Sequence, residues 1–273
     1  MKNGAAVFLA AFIALGASWC GFVLAPLLQL GGAKQAAVLN SSDIYPLQPI
    51  GDATLGLQVY RAEGCAACHT EQVQQDGAAC DVVLTSAGKK NPVAVSNLVS
   101  SLKLQNLTKD AADAIANQIT AAGGKSETHV FATGTDITRG WGVRHGVAAD
   151  FLYDYPVQLG GLRAGPDLSN IGVRAPDVNW QLLHLYAPRS VTTNSTMPSF
   201  KFLFEVRQIG DTPSPDALNL PKEFAPAEGY EVVPTTEAKQ LAAYLLNLRA
   251  NVPLYEAPFT PPEVPTNAPA APK

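Results

Sequence analysis

Hydrophobic and polar positions are spread very unevenly along this chain, and the unevenness divides it. From Gly4 to Ala33 there is no Asp, Glu, Lys or Arg. At about 1.5 Å rise per residue the apolar run Ala5 to Leu30 is long enough for a helix across a hydrocarbon core of ~30 Å. The competing reading is a cleaved signal peptide, and Gly31-Gly32-Ala33 passes as a cleavage site. Such peptides normally have an apolar region of only ~7–15 residues, so the longer run favours an uncleaved anchor over residues 1–33. Lys2 and the terminal amine on one side and Lys34 on the other give only a slight preference for a cytoplasmic N-terminus.

Beyond the anchor, residues 34–50 read as a linker. Gly51 to Gly64 carries helical spacing, with Leu55, Val59 and Tyr60 on one side. Between about Asp76 and Thr135 the pattern predicts a strand at Asp81–Thr85, helices at Pro92–Leu104 and Lys109–Ala122, and a strand at Glu127–Phe131. That is a small α+β unit, 76–135, inserted into a domain made of 51–75 and 136–252. Arg139 to Gly210 is punctuated by Gly and Pro, with a short helix expected at Val178–Tyr186. Glu237–Leu248 is the clearest amphipathic helix, with Leu241, Leu245 and Leu248 at i, i+4, i+7 and Thr235 and Thr236 just before it. Residues 253–273, rich in Pro and Ala, read as a solvated extended tail.

Composition adds exclusions. In 273 residues, 47% hydrophobic and 15% charged, there is enough apolar material for a packed core. The net charge of −4, with no basic face, argues against nucleic acid as a partner. Sulfur is scarce: four cysteines (Cys20, Cys65, Cys68, Cys80), and Met197 as the only methionine besides Met1. Cys20 follows the bulky Trp19, which a lipid-attachment signal would not tolerate, and reads as an intramembrane apolar thiol. Cys80 reads as a buried free thiol, a bridge to another chain being the alternative.

The chemistry is concentrated at Cys65-Ala66-Ala67-Cys68-His69. Two thiols three positions apart match the two vinyl groups of haem, and the adjacent imidazole matches the iron. A redox-active Cys-x-x-Cys wants a strand-to-helix context, and half of a zinc site wants a second cysteine pair that this chain lacks. One covalent haem c is therefore expected, with His69 as one axial ligand. Candidates for the sixth position are His129, His145, His184 and Met197. Met197 leads because it lies outside any apolar periodic run and the following Pro198 fixes an extended loop; His184 is the runner-up. Gly165-Pro166-Asp167-Leu168 is expected to offer the Pro166 carbonyl to Nδ1–H of His69, unless it is merely a turn. The basic residues from Arg139 to Arg207 are nearly all arginine, whose planar fork suits haem carboxylates, with Arg163 and Arg189 the first candidates.

Taken together, Gly56-x-x-x-Tyr60, Cys-x-x-Cys-His, Gly165-Pro166-Asp167-Leu168, the Met197-Pro198 loop and Ala243-Tyr244-Leu245 resemble the class I c-type cytochromes. That resemblance implies a mainly α fold in which the first and last helices of the domain cross closely at Gly56. More narrowly, Pro26–Gly31, Gly64–Val73, Arg139-Gly140-Trp141-Gly142, Val147–Pro156, Arg163–Arg174 and His184 through Phe204 resemble the membrane-anchored monohaem subunit of cbb3-type cytochrome c oxidases. The resemblance implies a single-span protein of the inner membrane, with its haem domain on the periplasmic face. Its implied partners are the oxidase catalytic subunit and other cytochromes, in an electron-transfer subunit rather than an enzyme on its own. The block 76–135 departs from that family, whose connection here is much shorter; Asp81–Gly88 and Leu107–Phe131 resemble the C-terminal domain of the bacterial ribosomal stalk protein with one helix missing. It offers a docking surface for a partner subunit. The alternatives are a membrane-tethered carrier, a subunit of another respiratory complex, and a haem enzyme of peroxidase type, for which no acid-base pair near Met197 speaks.

Overall fold

The computed structural model describes residues 3–32, 34–38 and 42–252. Lys2, part of the linker and the tail 253–273 lie outside the described residues. Helix α1 (Gly4–Trp19) runs through a π-helical turn at Cys20–Leu24 into α2 (Ala25–Leu30). Pro26 supplies the reason for the irregular turn: it has no N–H to give, and its ring presses on the preceding turn. Gly4–Gln29 is the one helix among the described residues long and apolar enough to cross a membrane, and none of it is covered by the rest of the chain.

The stretch read as a linker is partly folded onto the domain. Strands β1 (Ala36–Ala37) and β2 (Ile44–Tyr45) pair antiparallel, and Val38 and Tyr45 are buried against Val147, Ala149 and Val252. The polar atoms beneath them are satisfied by one cluster. Tyr45 donates to Asp150 Oδ1 at 2.7 Å, Arg144 makes a two-pronged pair with Asp150 at 2.7 and 3.0 Å, and Arg144 Nε donates to the carbonyl of Val252 at 2.9 Å. A guanidinium as deeply buried as Arg144 is stable only with such a full set of acceptors.

The main core is built on two crossing helices, α3 (Asp52–Ala62) and α9 (Thr236–Asn247). Gly56 makes the crossing possible: a Cβ there would stand 1.9 Å from the carbonyl oxygen of Gln240 and 2.7 Å from Tyr244 Cβ. The rings of Tyr60 and Tyr244 then meet at 5.1 Å. This corrects the expected apolar face of α3: Gly56 and Tyr60 are buried, while Leu55 is 44% exposed. α9 buries Leu241 and Leu245 as expected, and Thr235 caps it by accepting from the Ala238 N–H at 3.3 Å. Two short helices, α7 (Ile171–Arg174) and α8 (Val178–Tyr186), pack on α9, with Asp177 capping α8. A hairpin unanticipated from the sequence, β5 (Phe204–Gln208) with β6 (Tyr230–Pro234), leads into α9.

The block after the cysteine motif contains β3 (Gly77–Ser86), α4 (Pro92–Ser101), α5 (Lys109–Ala121) and β4 (Lys125–Thr133). Its strands pair antiparallel and are longer than their apolar runs, because the register Gly77↔Thr133 to Leu84↔Ser126 also recruits polar positions. It has a core of its own, Cys80, Val82, Val95, Leu107, Ala112 and Ile119. Cys80 is a buried free thiol. Both ends of the block meet: Asp76 N–H donates to the Thr133 carbonyl at 2.8 Å and Gln74 N–H to Asp136 Oδ2 at 2.7 Å. Closing the loop therefore costs little entropy, and the short helix α6 (Thr135–Thr138) returns the chain to the main domain.

Candidate functional site

α3 ends at Ala62, and Gly64, with φ of 69°, turns the chain into a single 3₁₀ turn, Cys65–Ala67. The N–H groups of Cys68 and His69 both donate to the Cys65 carbonyl, at 3.1 and 3.0 Å. Cys65 is half-buried and Cys68 exposed. Burial pushes the Cys65 thiol up to about 12, the reverse of the depression that a thiol–disulfide motif uses. Among the described residues no three His, Cys, Asp or Glu side chains are grouped so as to hold a metal ion.

His69 is held from below. Its Nδ1 lies 2.8 Å from the Pro166 carbonyl, and since a carbonyl only accepts, Nδ1 carries the proton and Nε2 keeps its lone pair. Gly165 permits this contact, for a Cβ there would fall 2.3–2.9 Å from three atoms of the ring. Asp167, fully buried, ties the same turn to the motif: it accepts from Thr70 Oγ1 at 2.6 Å, Gln72 N–H at 2.8 Å and Ser169 N–H at 2.9 Å. The sequence singled out the Gly-Pro-Asp-Leu turn for its proline; the structure makes its glycine and aspartate equally necessary.

The other candidates are sorted by their neighbours. Met197 is half-buried and packs against the same core as Cys65, Leu168 and Leu185. Its loop is tied down by Arg189 Nε, which donates to the Ser195 carbonyl at 3.2 Å. Arg163, expected to face a ligand carboxylate, is engaged by the protein instead: Nη1 reaches both oxygens of Asp136 at 2.7 Å and Nη2 donates to the Gln72 carbonyl. Asp136 is buried at the end of the inserted block, and no sequence pattern marked it as the partner. His129 lies on β4 beside Glu127, and His145 bonds Gln75 Oε1, so neither joins the motif. His184 stacks on Trp180, centroids 4.9 Å apart and planes within 7°. Burial first, and the nearby His69 second, push its imidazole down to about 4, so it is neutral.

A second buried acid, besides Asp136, escaped the sequence reading. Glu71 is 3% exposed, two residues beyond His69, and accepts from the Tyr244 hydroxyl at 3.0 and 3.1 Å. Burial pushes its carboxyl up to about 8, with Asp154 adding to the rise. Burial also raises Asp154, to about 6. Both acids line a cavity of about 820 Å³ between the β2 segment and the C-terminal end of α9.

Residues 135–245 match the family described as cytochrome C oxidase, mono-heme subunit/FixO. This stretch is a FixO-family domain. It spans the Gly165–Leu168 turn, α8, the Met197 loop and nearly all of α9, and begins where the inserted block ends. The cysteine motif lies outside the matched stretch, yet the fold brings it onto the FixO-family domain through Pro166, Asp167 and Tyr244. No curated protein matches the chain.

The residues fit a haem c on the chain's own geometry. Cys65 lies against the core on which Met197 also packs, and the His69 ring, with Nδ1 committed to Pro166, offers its Nε2.

Proposed function

We propose that this protein is a membrane-anchored monohaem cytochrome c that passes electrons as a subunit of a cbb3-type cytochrome c oxidase. Cys65 and Cys68 would hold the haem through thioether bonds, and His69 and Met197 would ligate its iron. The haem supplies one-electron redox chemistry. Pro166 fixes the His69 tautomer, Gly165 leaves room for the ring, and Met197 would take the iron's remaining position and so exclude substrate. Arg189 keeps Ser195 and with it the Met197 loop in place. The observation that carries this reading is the His69 Nδ1 to Pro166 contact at 2.8 Å over the Gly165 cradle, joining a Cys-x-x-Cys-His turn to a FixO-family domain. The N-terminal helix supplies the anchor, with the haem domain on the periplasmic face, and the block 76–135 offers a docking surface for a partner subunit.

The test is purification of the full chain from native membranes. One covalent haem per chain, lost in Cys65→Ala and Cys68→Ala, and a far-red sulfur-to-iron band lost in Met197→Ala are expected, with a haem–copper catalytic subunit in the same complex. A chain without covalent haem would overturn the reading outright. Haem without the catalytic subunit would reduce it to a tethered carrier.

A further inference from the structure

Between Asp43 and Asp52 runs a stretch without a charge, Ile44-Tyr45-Pro46-Leu47-Gln48-Pro49-Ile50-Gly51. Tyr45 and Pro46 are buried, but Ile44, Leu47 and Ile50 stand 49%, 63% and 80% exposed. The loop is pinned in that pose at two points: Gln35 Nε2 donates to the Pro46 carbonyl at 2.8 Å, and Thr54 Oγ1 to the Pro49 carbonyl at 3.0 Å. Both carbonyls are thereby satisfied without water, and Pro46 and Pro49 have no N–H to hydrate. Such a loop leaves water at less cost than an ordinary one. Its place in the chain shows where it can go. Leu30 is the last residue of α2, and Gln35 follows five residues later. At no more than ~3.6 Å per residue, Gln35, which holds Pro46, stays within about 18 Å of the end of the apolar helix. β1 ties the loop to the same end, pairing Ala36 with Tyr45 and Ala37 with Ile44.

We propose that Ile44, Leu47 and Ile50 form a second membrane contact, entering the phospholipid headgroup layer beside the point where the N-terminal helix leaves the bilayer. This rests on the reading of that helix as an uncleaved anchor. At ~1.5 Å per residue Gly4–Gln29 is about 39 Å long, so its end lies within the ~40–45 Å that a bilayer spans with its headgroups. Three exposed aliphatic side chains on a short strap from that point are buried more favourably in the lipid interface than in water. The loop holds no base and is flanked by two acids, so apolar burial rather than attraction to anionic lipid drives the contact, and salt leaves it in place. The consequence is orientation. α3 begins two residues after Ile50 and ends just short of Cys65, a span of about 16 Å. With the start of α3 held at the membrane, the cysteine motif keeps one height above the lipid instead of swinging on a tether.

The experiment places an NBD fluorophore on the full-length protein in phosphatidylcholine nanodiscs, at Leu47→Cys, at Ile50→Cys and, as a reference on the inserted block, at Val93→Cys, where the native side chain is 69% exposed. The parent is Cys20→Ala; Cys80 is buried from the reagent, and the parent without an added cysteine supplies the labelling blank. Nitroxide-labelled lipid is expected to quench the probes at positions 47 and 50 while aqueous iodide spares them, with the reverse at position 93, at low and high salt alike. Iodide quenching at positions 47 and 50 equal to that at position 93 overturns the proposal. Shielding from both quenchers overturns it as well, since a second copy of the chain would then cover the patch. The same holds if lipid quenching disappears in the complex purified from native membranes, which would give the patch to a partner subunit. Release of the wild-type chain from membranes by alkaline carbonate would instead remove the anchor on which this contact depends.

Discussion

The core around α3 and α9 and the core of the inserted block solve the same problem with opposite chemistry. The block buries Cys80, Val82, Val95, Leu107, Ala112 and Ile119, with no ionisable group but one thiol. The larger core is surrounded by buried acids, Glu71, Asp136 and Asp167. Ordinary packing suffices for a unit that needs only to hold its shape. Where a motif must be gripped from several segments distant in sequence, carboxylates that accept two or three backbone and hydroxyl donors are the efficient device, because each fixes several segments at once. The two units meet at Asp136, which accepts from Gln74 and pairs with Arg163, so the junction belongs chemically to the larger core.

That contrast can be broken at its strongest point. Gly56→Val places side-chain atoms where only 1.9 Å separates a Cβ from the Gln240 carbonyl, and the backbone of α9 cannot yield as a side chain would. The expected outcome is loss of the α3–α9 crossing and of folded protein, visible as absence of the cooperative thermal transition. Ile119→Ala tests the other side. Ile119 is fully buried in the block, and the substitution should cost about 2–5 kcal/mol by cavity formation. The loss should be confined to the block: hydrogen exchange should accelerate across β3 and β4 while the amides of α9 keep their protection. Equal acceleration in both units would show them to be one cooperative body. Asp154→Asn gives the smallest effect. The native carboxyl is raised to about 6 from its ordinary value near 4, so the native state favours the neutral acid. Its stabilising contribution is present below about pH 4 and lost as pH rises through 6. The variant, neutral throughout, should match wild type in Tm near pH 4 and exceed it above pH 6.

Much of the fold was legible because it rests on local rules. The N-terminal helix follows from an uncharged apolar run, α8 from its spacing, and α9 from a threonine cap followed by leucines at one helical face. The block's two strands and two helices were also legible from periodicity, although the strands run further than their apolar centres. Less legible were the elements whose partners lie far away. The β5–β6 hairpin has only Phe204 buried on its first strand, so alternation is faint there. On α3 the helical spacing pointed to Leu55, whereas contact with α9 buries the glycine beside it.

For the candidate site, the sequence alone determined the cysteine–histidine motif, the Gly-Pro-Asp-Leu turn and the isolated Met197, because each is a local pattern of rare residue types. Tertiary structure decided which groups serve them. It turned Arg163 inward to Asp136, tied Arg189 to the Met197 loop, buried Glu71 under Tyr244 and stacked His184 on Trp180. The division has one physical cause. A turn or a helix cap is made by residues a few positions apart, whereas the partner of a buried charge is chosen by whichever distant segment the packing of the whole core brings within hydrogen-bonding reach.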